Sequence, residues 1–381
     1  MSQAIKIFAG IPATNRTLYH RIRFSVGDPI AIVEQGDERT LILRDIEMER
    51  AKAKARVQHV HCPADFTPAG GLSGDRETAT AQALAECLAQ RGIQSVEVDR
   101  SLPHSFLHEL TQRNIEPQYN PDLGVAERRA KDAQEIEWLT KAQAVTAKTM
   151  TRACQLVAQA TAGTDGVLQH EGSPLTSERL QTLINVWLLE TGFSNPGSIV
   201  AGGPEGADCH NHGSGPLSTG QPVIIDIFPC DNQTFYNGDC TRTVVNGDIP
   251  DIVAAMHAAV AAAKQAGFAA TRPGVTGESV HQATIEEIQK AGFLAERPSG
   301  PMTNETPSMT HGTGHGIGLD VHEPPLLDFK GPKLVKGDAL TIEPGLYSPA
   351  IGGVRLEDLV IVTEDGCQSL NPDLPESLDW R

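Results

Sequence analysis

The sequence predicts a two-domain α+β protein, in which a small α/β domain precedes a larger domain made of two related halves. The chain has 381 residues, more than a single domain usually contains, so two domains are expected. Strand and helix patterns alternate from residue 1 to about residue 115. The rest of the chain contains an internal repeat, which indicates that this C-terminal part consists of two halves with similar structures.

Three segments of the N-terminal part have the apolar composition of strands: PIAIVE (29–34), TLILR (40–44) and SVEVD (95–99). An alanine-rich helix is predicted over residues 76–92, because the pattern ends at a glycine. The segment EPQYNPDLG (116–124) contains two prolines, an asparagine and a glycine, which is typical of a linker. We therefore place the domain boundary near residue 125, with one domain over 1–125 and the other over 126–381.

The repeat is visible in two segments of nineteen residues. LTSERLQTLINVWLLETGF begins at Leu175, and VTGESVHQATIEEIQKAGF begins at Val275. Both have threonine and glutamate at the same positions, an amphipathic helix pattern, and Gly-Phe at the end. Each half of the C-terminal domain is therefore predicted to contain this helix.

The repeat is also visible in two apolar, strand-like segments, each of which has an acid at the same distance from a leucine. In PLSTGQPVIIDIF, Asp226 lies nine residues after a leucine, and in KLVKGDALTIEPG, Glu343 lies nine residues after a leucine. Another acid follows each of them, Asp239 thirteen residues later and Glu357 fourteen residues later. A single buried acid is usually a hydrogen-bonded structural carboxylate, but four acids brought together would repel one another. Two divalent cations would neutralise such a cluster.

The segment HGTGHGIGLDVHE (311–323) contains three histidines and four glycines. Its glycine spacing does not match the G-x-G-x-x-G or GK[ST] phosphate-binding patterns. A zinc-binding helix is also excluded, since each glycine would destabilise a helix by roughly 1 kcal/mol relative to alanine. The remaining interpretation is an extended segment whose glycines let it pass close to other backbone groups. A lone histidine is more often structural, but three histidines beside four acids favour a functional site.

These motifs together carry a family resemblance. The histidine-rich segment is accompanied in order by IIDIFP, GDCTRT, TIEPGLY and GGVRLEDLVIV, over about residues 128–365. This arrangement resembles the Xaa-Pro aminopeptidases and prolidases of the pita-bread metallopeptidases, and the N-terminal part is similar to a creatinase-type N-domain. The resemblance implies a pita-bread C-terminal domain, with two pseudo-symmetric helix–strand halves around a curved antiparallel sheet.

The resemblance also implies a dinuclear metal centre. Asp226 would bind one ion, Asp239 and Glu357 would bridge the two ions, and His315 with Glu343 would complete the second. One imidazole and four carboxylates favour manganese, with cobalt, iron and zinc as alternatives. The ions would lower the pKa of a bound water, which would then attack the carbonyl group of the residue that precedes proline.

Further roles follow from the same resemblance. Glu343 would act as general base and then as general acid. His322 would hydrogen-bond the substrate carbonyl or the tetrahedral oxyanion, and His311 would line the substrate pocket. A further substrate-side histidine is His210 or His212, and the spacing favours His210.

Arg355 is predicted to belong to the same site. The resemblance implies that Arg355, in GGVRLEDLVIV, pairs with Asp239 or Glu357. The alternative is an ordinary surface ion pair.

The expected activity is hydrolysis of the bond before proline in a dipeptide or a longer peptide. Two alternatives stay open: a hydrolase of a non-peptide amide, of the creatinase or ectoine type, and a non-catalytic binding protein on the same fold. Creatinase-type enzymes usually lack the metal ligands, and the binding proteins lose ligands and carry basic extensions. All five ligand types are present here.

Charge and composition bear on partners and location. The formal net charge of −17 disfavours nucleic acid and anionic membrane as partners, since both need a basic surface. No run of about 18 apolar residues and no signal peptide is apparent, so neither a membrane span nor secretion is expected. Seven scattered cysteines indicate a reducing, cytoplasmic compartment. A homodimer is expected by analogy with the family.

Overall fold

The computed structural model describes residues 4–295 and 306–381. The chain divides into two compact units, Met1–Arg128 and Arg129–Arg381. The short helix Ala126–Arg129 contains the last three residues of the first unit and the first residue of the second.

The first unit is built on one mixed six-stranded sheet in the order β4-β3-β2-β1-β5-β6. Its strands are β1 (Ile5–Gly10), β2 (Ile30–Gln35), β3 (Glu38–Ile42), β4 (His59–His61), β5 (Ser95–Val98) and β6 (Glu116–Tyr119). Its helices are α1 (Arg16–Ile22), α2 (Met48–Lys54), α3 (Arg76–Gln90) and α4 (His104–Gln112), with α5 (Ala126–Arg129) at its end. The three predicted strands and the predicted helix of this unit are therefore present.

The linker predicted over 116–124 is wrong for its first four residues. Glu116–Tyr119 form β6, which pairs in parallel with β5. Pro117 is tolerated there because β6 lies at the edge of the sheet, where a strand can lack one N–H donor. Only the turns that follow β6 have the irregular backbone of a linker.

Within its described residues, the second unit contains four long helices: α6 (Ala133–Gln159), α7 (Ser177–Glu190), α8 (Asp251–Ala270) and α9 (Gly277–Lys290). The strands of its first half are β7 (Thr161–Ala162), β8 (Leu168–His170), β9 (Ser173–Pro174), β10 (Phe193–Ser194), β11 (Ile199–Gly202), β12 (Pro222–Ile227), β13 (Cys230–Asp231) and β14 (Cys240–Val245). Those of its second half are β15 (Gly314–Gly316), β16 (Glu323–Leu327), β17 (Ala339–Ile342), β18 (Gly345–Ser348), β19 (Gly352–Arg355), β20 (Asp358–Val362) and β21 (Cys367–Ser369).

The helices α7 and α9 are the repeated segments. Each has 14 residues and a threonine N-cap, Thr176 or Thr276, whose side chain accepts a hydrogen bond from a first-turn amide. Each is followed by a glycine with positive φ, Gly192 at 83° and Gly292 at 86°. The repeat seen in the sequence therefore corresponds to one helix with the same caps in both halves.

Each half also contributes an antiparallel pair of strands to the site. In the first half, β12 pairs with both β11 and β14. In the second half, β17 pairs with β15 and β20 within a five-stranded sheet. The predicted α+β class, with two related helix–strand halves, agrees with this architecture.

The long helix α6 supports the first half. Asp132 caps it by accepting from the Glu135 amide, and the Glu135 side chain accepts in return from the Asp132 amide. Its apolar face, which includes Ala142 and Met150, packs against β12 and β14 in a core where apolar side chains are removed from water.

Helix α8 is, over the described ranges, the one helix that is long and apolar enough to cross a membrane. The core helix of a globular protein passes the same test. The side chain of Lys264 in α8 is fully buried and pairs with Asp358 of β20, and this contact packs α8 inside the second unit.

Candidate metal centre

The four repeated acids all lie at or next to strand ends in the second unit. Asp226 is in β12, Asp239 immediately precedes β14, Glu343 immediately follows β17, and Glu357 immediately precedes β20. All four line one cavity of about 690 Å³. The tertiary structure therefore brings together the carboxylates that the repeat marked.

The distances within this cluster are short enough for one ion to contact several groups. Ligand atoms of Asp239, His315 and Glu357 lie within 4.8 Å of one another. His315 Nε2 is 3.8 Å from Asp239 Oδ2 and 3.3 Å from Glu343 Oε1. Glu357 Oε2 accepts a 2.7 Å hydrogen bond from the hydroxyl of Thr241, which orients that carboxylate.

His315 lies in β15, where glycines allow close backbone approach. A Cβ on Gly314 would lie 2.0 Å from the carbonyl oxygen of Thr341, and a Cβ on Gly316 would lie 2.5 Å from that of Pro324. Neither glycine has positive φ, so space and not backbone conformation requires them. The histidine-rich segment is therefore extended around His315, as predicted.

The tautomer of His315 fits a metal ligand. Its Nδ1 lies 3.1 Å from the carbonyl oxygen of Gly316, which can only accept, so Nδ1 carries the proton. Burial lowers the pKa of this imidazole, so the ring is neutral and Nε2 presents a lone pair. That lone pair is directed toward the Asp239 and Glu343 carboxylates, an arrangement that a cation stabilises.

The electrostatics of the cluster lead to the same conclusion. Burial and the neighbouring Glu357 raise the pKa of Asp239 well above its usual value. Burial and nearby carboxylates raise the pKa of Glu357 in the same way, and the pKa of Glu343 to about 7. These raised pKa values reflect the unfavourable free energy of burying several negative charges close together. The donor set and its charge fit divalent cations.

Arg355 is the cation that contacts this cluster, but its partner differs from the prediction. Its Nη2 donates to Asp226 Oδ2 at 2.7 Å, so the pairing predicted with Asp239 or Glu357 is wrong. The surface-pair alternative is also wrong, because Arg355 is only 3% exposed. The second oxygen of Asp226, Oδ1, is buried without a hydrogen-bond partner and is available to a cation.

His311 lines the cavity, and both of its ring nitrogens contact protein groups. Nδ1 lies 2.7 Å from the carbonyl of Gly312, and Nε2 lies 2.7 Å from the hydroxyl of Tyr347. Burial, with the Arg355 charge nearby, lowers the pKa of His311 to about 4, so the ring is neutral. His311 is therefore placed on the pocket wall, where it orients Tyr347.

The other predicted histidines are exposed to the cavity. The ring of His322 lies edge-on to that of His315, with 4.3 Å between centroids. His210 and His212 both line the cavity. His212 Nδ1 lies 3.1 Å from the Ser198 carbonyl, and the Nδ1 of His210 lies 3.9 Å from Cys209 Sγ. The structure therefore places both histidines on the wall of the cavity.

Three residues of the site were not singled out from the sequence. Tyr347 accepts a 3.0 Å hydrogen bond from Arg355, and Thr241 holds Glu357. Both lie inside the quoted motifs TIEPGLY and GDCTRT, so position in a motif was the available signal. Asp328 also lines the cavity, at the end of β16, and no spacing marked it.

The fold and the donor set define an α+β protein with a carboxylate-rich candidate metal centre. The chain belongs to the metallopeptidase family M24, whose model matches residues 137–364.

Similar curated proteins include two that are named as dipeptidases. The probable dipeptidase PepE of Mycobacterium tuberculosis is 42% identical over 178 residues, which are 45% of this chain and 43% of that protein. The match therefore spans less than half the length of PepE. The Xaa-Pro dipeptidase of Pyrococcus furiosus is 26% identical over 345 residues, which are 89% of this chain and 86% of that protein.

Solved structures share the fold. Prolidase from Pyrococcus furiosus has a TM-score of 0.75 and 23% identity, and covers 97% of this chain and 96% of that chain. Dipeptidase PepE from Mycobacterium ulcerans has a TM-score of 0.72 and 27% identity, and covers 99% and 92%. The predicted pita-bread fold and the predicted family are confirmed by these similarities.

Proposed function

We propose that this protein is a metal-dependent hydrolase that cleaves the peptide bond preceding proline in a dipeptide or a longer peptide. The observation that carries the proposal is the cluster of four buried carboxylates that faces the Nε2 lone pair of His315 in one cavity. The names of the Xaa-Pro dipeptidase and prolidase relatives support the choice of bond.

Asp226, Asp239, His315, Glu343 and Glu357 would hold two divalent ions, and manganese would suit this oxygen-rich donor set. Cobalt, iron and zinc are the alternatives. When bound, these ions supply a water of lowered pKa and polarise the scissile carbonyl.

The remaining residues position the substrate and move protons. Glu343 accepts a proton from the attacking water and donates it to the proline nitrogen, which leaves as an amine. His322 donates a hydrogen bond to the oxyanion, and His210 or His212 contacts the substrate from the wall of the same cavity. Arg355 keeps Asp226 in place through its buried ion pair and contacts Tyr347 beside His311.

The proposal extends to location and assembly. A cytoplasmic location is supported by the cysteines, all seven of which are free. A homodimer is proposed by analogy alone. Sedimentation velocity of the full chain tests it, and a monomer at micromolar concentration would contradict it.

The test of the activity is an assay of metal-reconstituted protein on Gly-Pro, Ala-Pro and a longer Xaa-Pro peptide. Cleavage before proline is expected, with loss of both metal binding and cleavage in Asp239→Ala and Glu357→Ala. Asp248→Ala, an exposed acid nine residues after Asp239, is the matched control and keeps both properties. Metal-loaded protein that cleaves none of the peptides would favour a non-peptide amide substrate. Full activity in Asp239→Ala would refute the metal centre.

A further inference from the structure

The main chain of Asp239 is held by a side chain from α6. Gln143 lies near the middle of that helix and is fully buried. Its Nε2 donates to the Asp239 carbonyl oxygen at 2.7 Å, and its Oε1 accepts from the Asp239 amide at 2.9 Å. One side-chain amide therefore satisfies both backbone groups of a single residue.

The position of Asp239 explains why such a partner is needed. The ladder between β12 and β14 begins with the pair Ile227–Cys240, so Asp239 lies just outside it. Its backbone groups are buried, and buried peptide groups need hydrogen-bond partners. Gln143 supplies in one side chain the donor and the acceptor that a neighbouring strand would supply.

Asn371 extends this contact to the other half of the domain. Its Oδ1 accepts from Gln143 Nε2 and from the Leu359 amide, each at 3.0 Å. Leu359 lies two residues after Glu357. A continuous buried path of hydrogen bonds thus joins the backbone of Asp239, through Gln143 and Asn371, to β20, the strand that begins directly after Glu357.

We propose that Gln143 is a positioning residue that fixes the Asp239 carboxylate relative to Glu357 and thereby sets the affinity of the site for divalent cations. The carboxamide of Gln143 has a donor and an acceptor side by side, so it can donate to the carbonyl and accept from the amide of the same residue. The inference rests on the proposed metal centre, because Asp239 and Glu357 are the residues proposed to contact both ions. Partners beyond the ligands commonly orient them and tune metal affinity.

The test compares three variants with the wild type by titration of the metal-free protein with Mn²⁺ and by thermal unfolding without metal. Gln143→Met keeps the length of the side chain and removes both hydrogen bonds, so Mn²⁺ affinity is expected to fall about 10- to 100-fold. Asn371→Ala removes the acceptor for Gln143 and is expected to weaken affinity less, in the same direction. Thr149→Val is the control, since this buried hydroxyl of α6 donates to the carbonyl of Val145 in its own helix.

A double-mutant cycle separates positioning from general destabilisation. Gln143→Met and Asn371→Ala should be non-additive in Mn²⁺ affinity, because they act on one path. Wild-type Mn²⁺ affinity in both single variants would overturn the proposal, as would an equal loss of affinity in Thr149→Val. If Gln143→Met does not fold, the Mn²⁺ affinity of Asn371→Ala is the test. Wild-type affinity in that variant would then overturn the proposal. Wild-type protein that binds no divalent cation would instead remove the metal centre itself.

Discussion

The three histidines of the segment 311–323 have different chemical environments, although they look alike in the sequence. His315 presents a lone pair to carboxylates, and His311 has both nitrogens engaged by Gly312 and Tyr347. His322 faces the cavity, where partial burial and the neighbouring His315 lower its pKa. A neutral imidazole offers one N–H donor, which is what the proposed oxyanion partner needs.

Replacing His322 by alanine is expected to lower kcat by about 10²- to 10³-fold, because one donor to the oxyanion is lost. Metal content should remain at the wild-type level, and KM should change less than kcat. Steady-state kinetics together with metal analysis check this, and His170→Ala, a histidine that does not line the cavity, serves as control. Loss of metal in His322→Ala would instead make this residue a ligand.

At the scale of elements, a buried ion network attaches α8 to the strands that carry the site. Asp358 of β20 follows Glu357 and pairs with Arg242 of β14 at 2.7 Å and with Lys264 of α8. Lys264 also contacts Glu376 at 2.6 Å. Arg242 donates in addition to the Glu357 carbonyl at 2.7 Å. The network therefore connects both halves directly behind the candidate metal centre.

Lys264→Met is expected to destabilise the protein by about 3–5 kcal/mol, because it leaves Asp358 buried with one cation fewer. Urea denaturation followed by circular dichroism measures the change. Lys290→Met is the control, since Lys290 pairs with Glu287 on the exposed surface of α9 and such pairs contribute little. Equal stability of the wild type and Lys264→Met would show that the network does not hold α8 in place.

At the scale of the whole molecule, the buried acids make stability depend on pH and on metal. Without metal, Glu343 has a pKa of about 7, above its usual 4.5, and the pKa values of Asp239 and Glu357 are raised as well. A group whose folded pKa is raised stabilises the fold at pH values below its unfolded pKa. That stabilisation is lost as the pH rises through the folded pKa.

The melting temperature of metal-free protein is therefore expected to fall as the pH rises from about 5 to about 8. Differential scanning calorimetry at a series of pH values checks this. Glu343→Gln should reduce the dependence around pH 7, and Mn²⁺-loaded protein should show a shallower dependence, since the cations neutralise the carboxylates. A melting temperature of the metal-free protein that rises with pH over this range would contradict the expectation.

The sequence alone determined the features that depend on local hydrophobic pattern and on residue type. The helices α7 and α9 follow from apolar periodicity and matching caps, and the extended segment around His315 follows from its glycines. Asp226 and Glu343 were identified because an apolar strand segment makes a carboxylate conspicuous, and Asp239 and Glu357 because each follows one of them at a similar offset. Local pattern misjudged Glu116–Tyr119, where prolines suggested a linker and pairing with β5 makes an edge strand.

Only the tertiary structure decided which distant groups meet. Arg355 pairs with Asp226 and not with Asp239 or Glu357, the two partners predicted from the sequence. Gln143 of α6 donates a hydrogen bond to Asp239, which lies 96 residues later in the chain. Neither contact leaves a periodic or compositional signal, since Gln143 looks like any polar residue of a helix. These partners are selected by how the two halves pack, because a buried charge or peptide group takes whichever complementary group the folded chain places within hydrogen-bond distance.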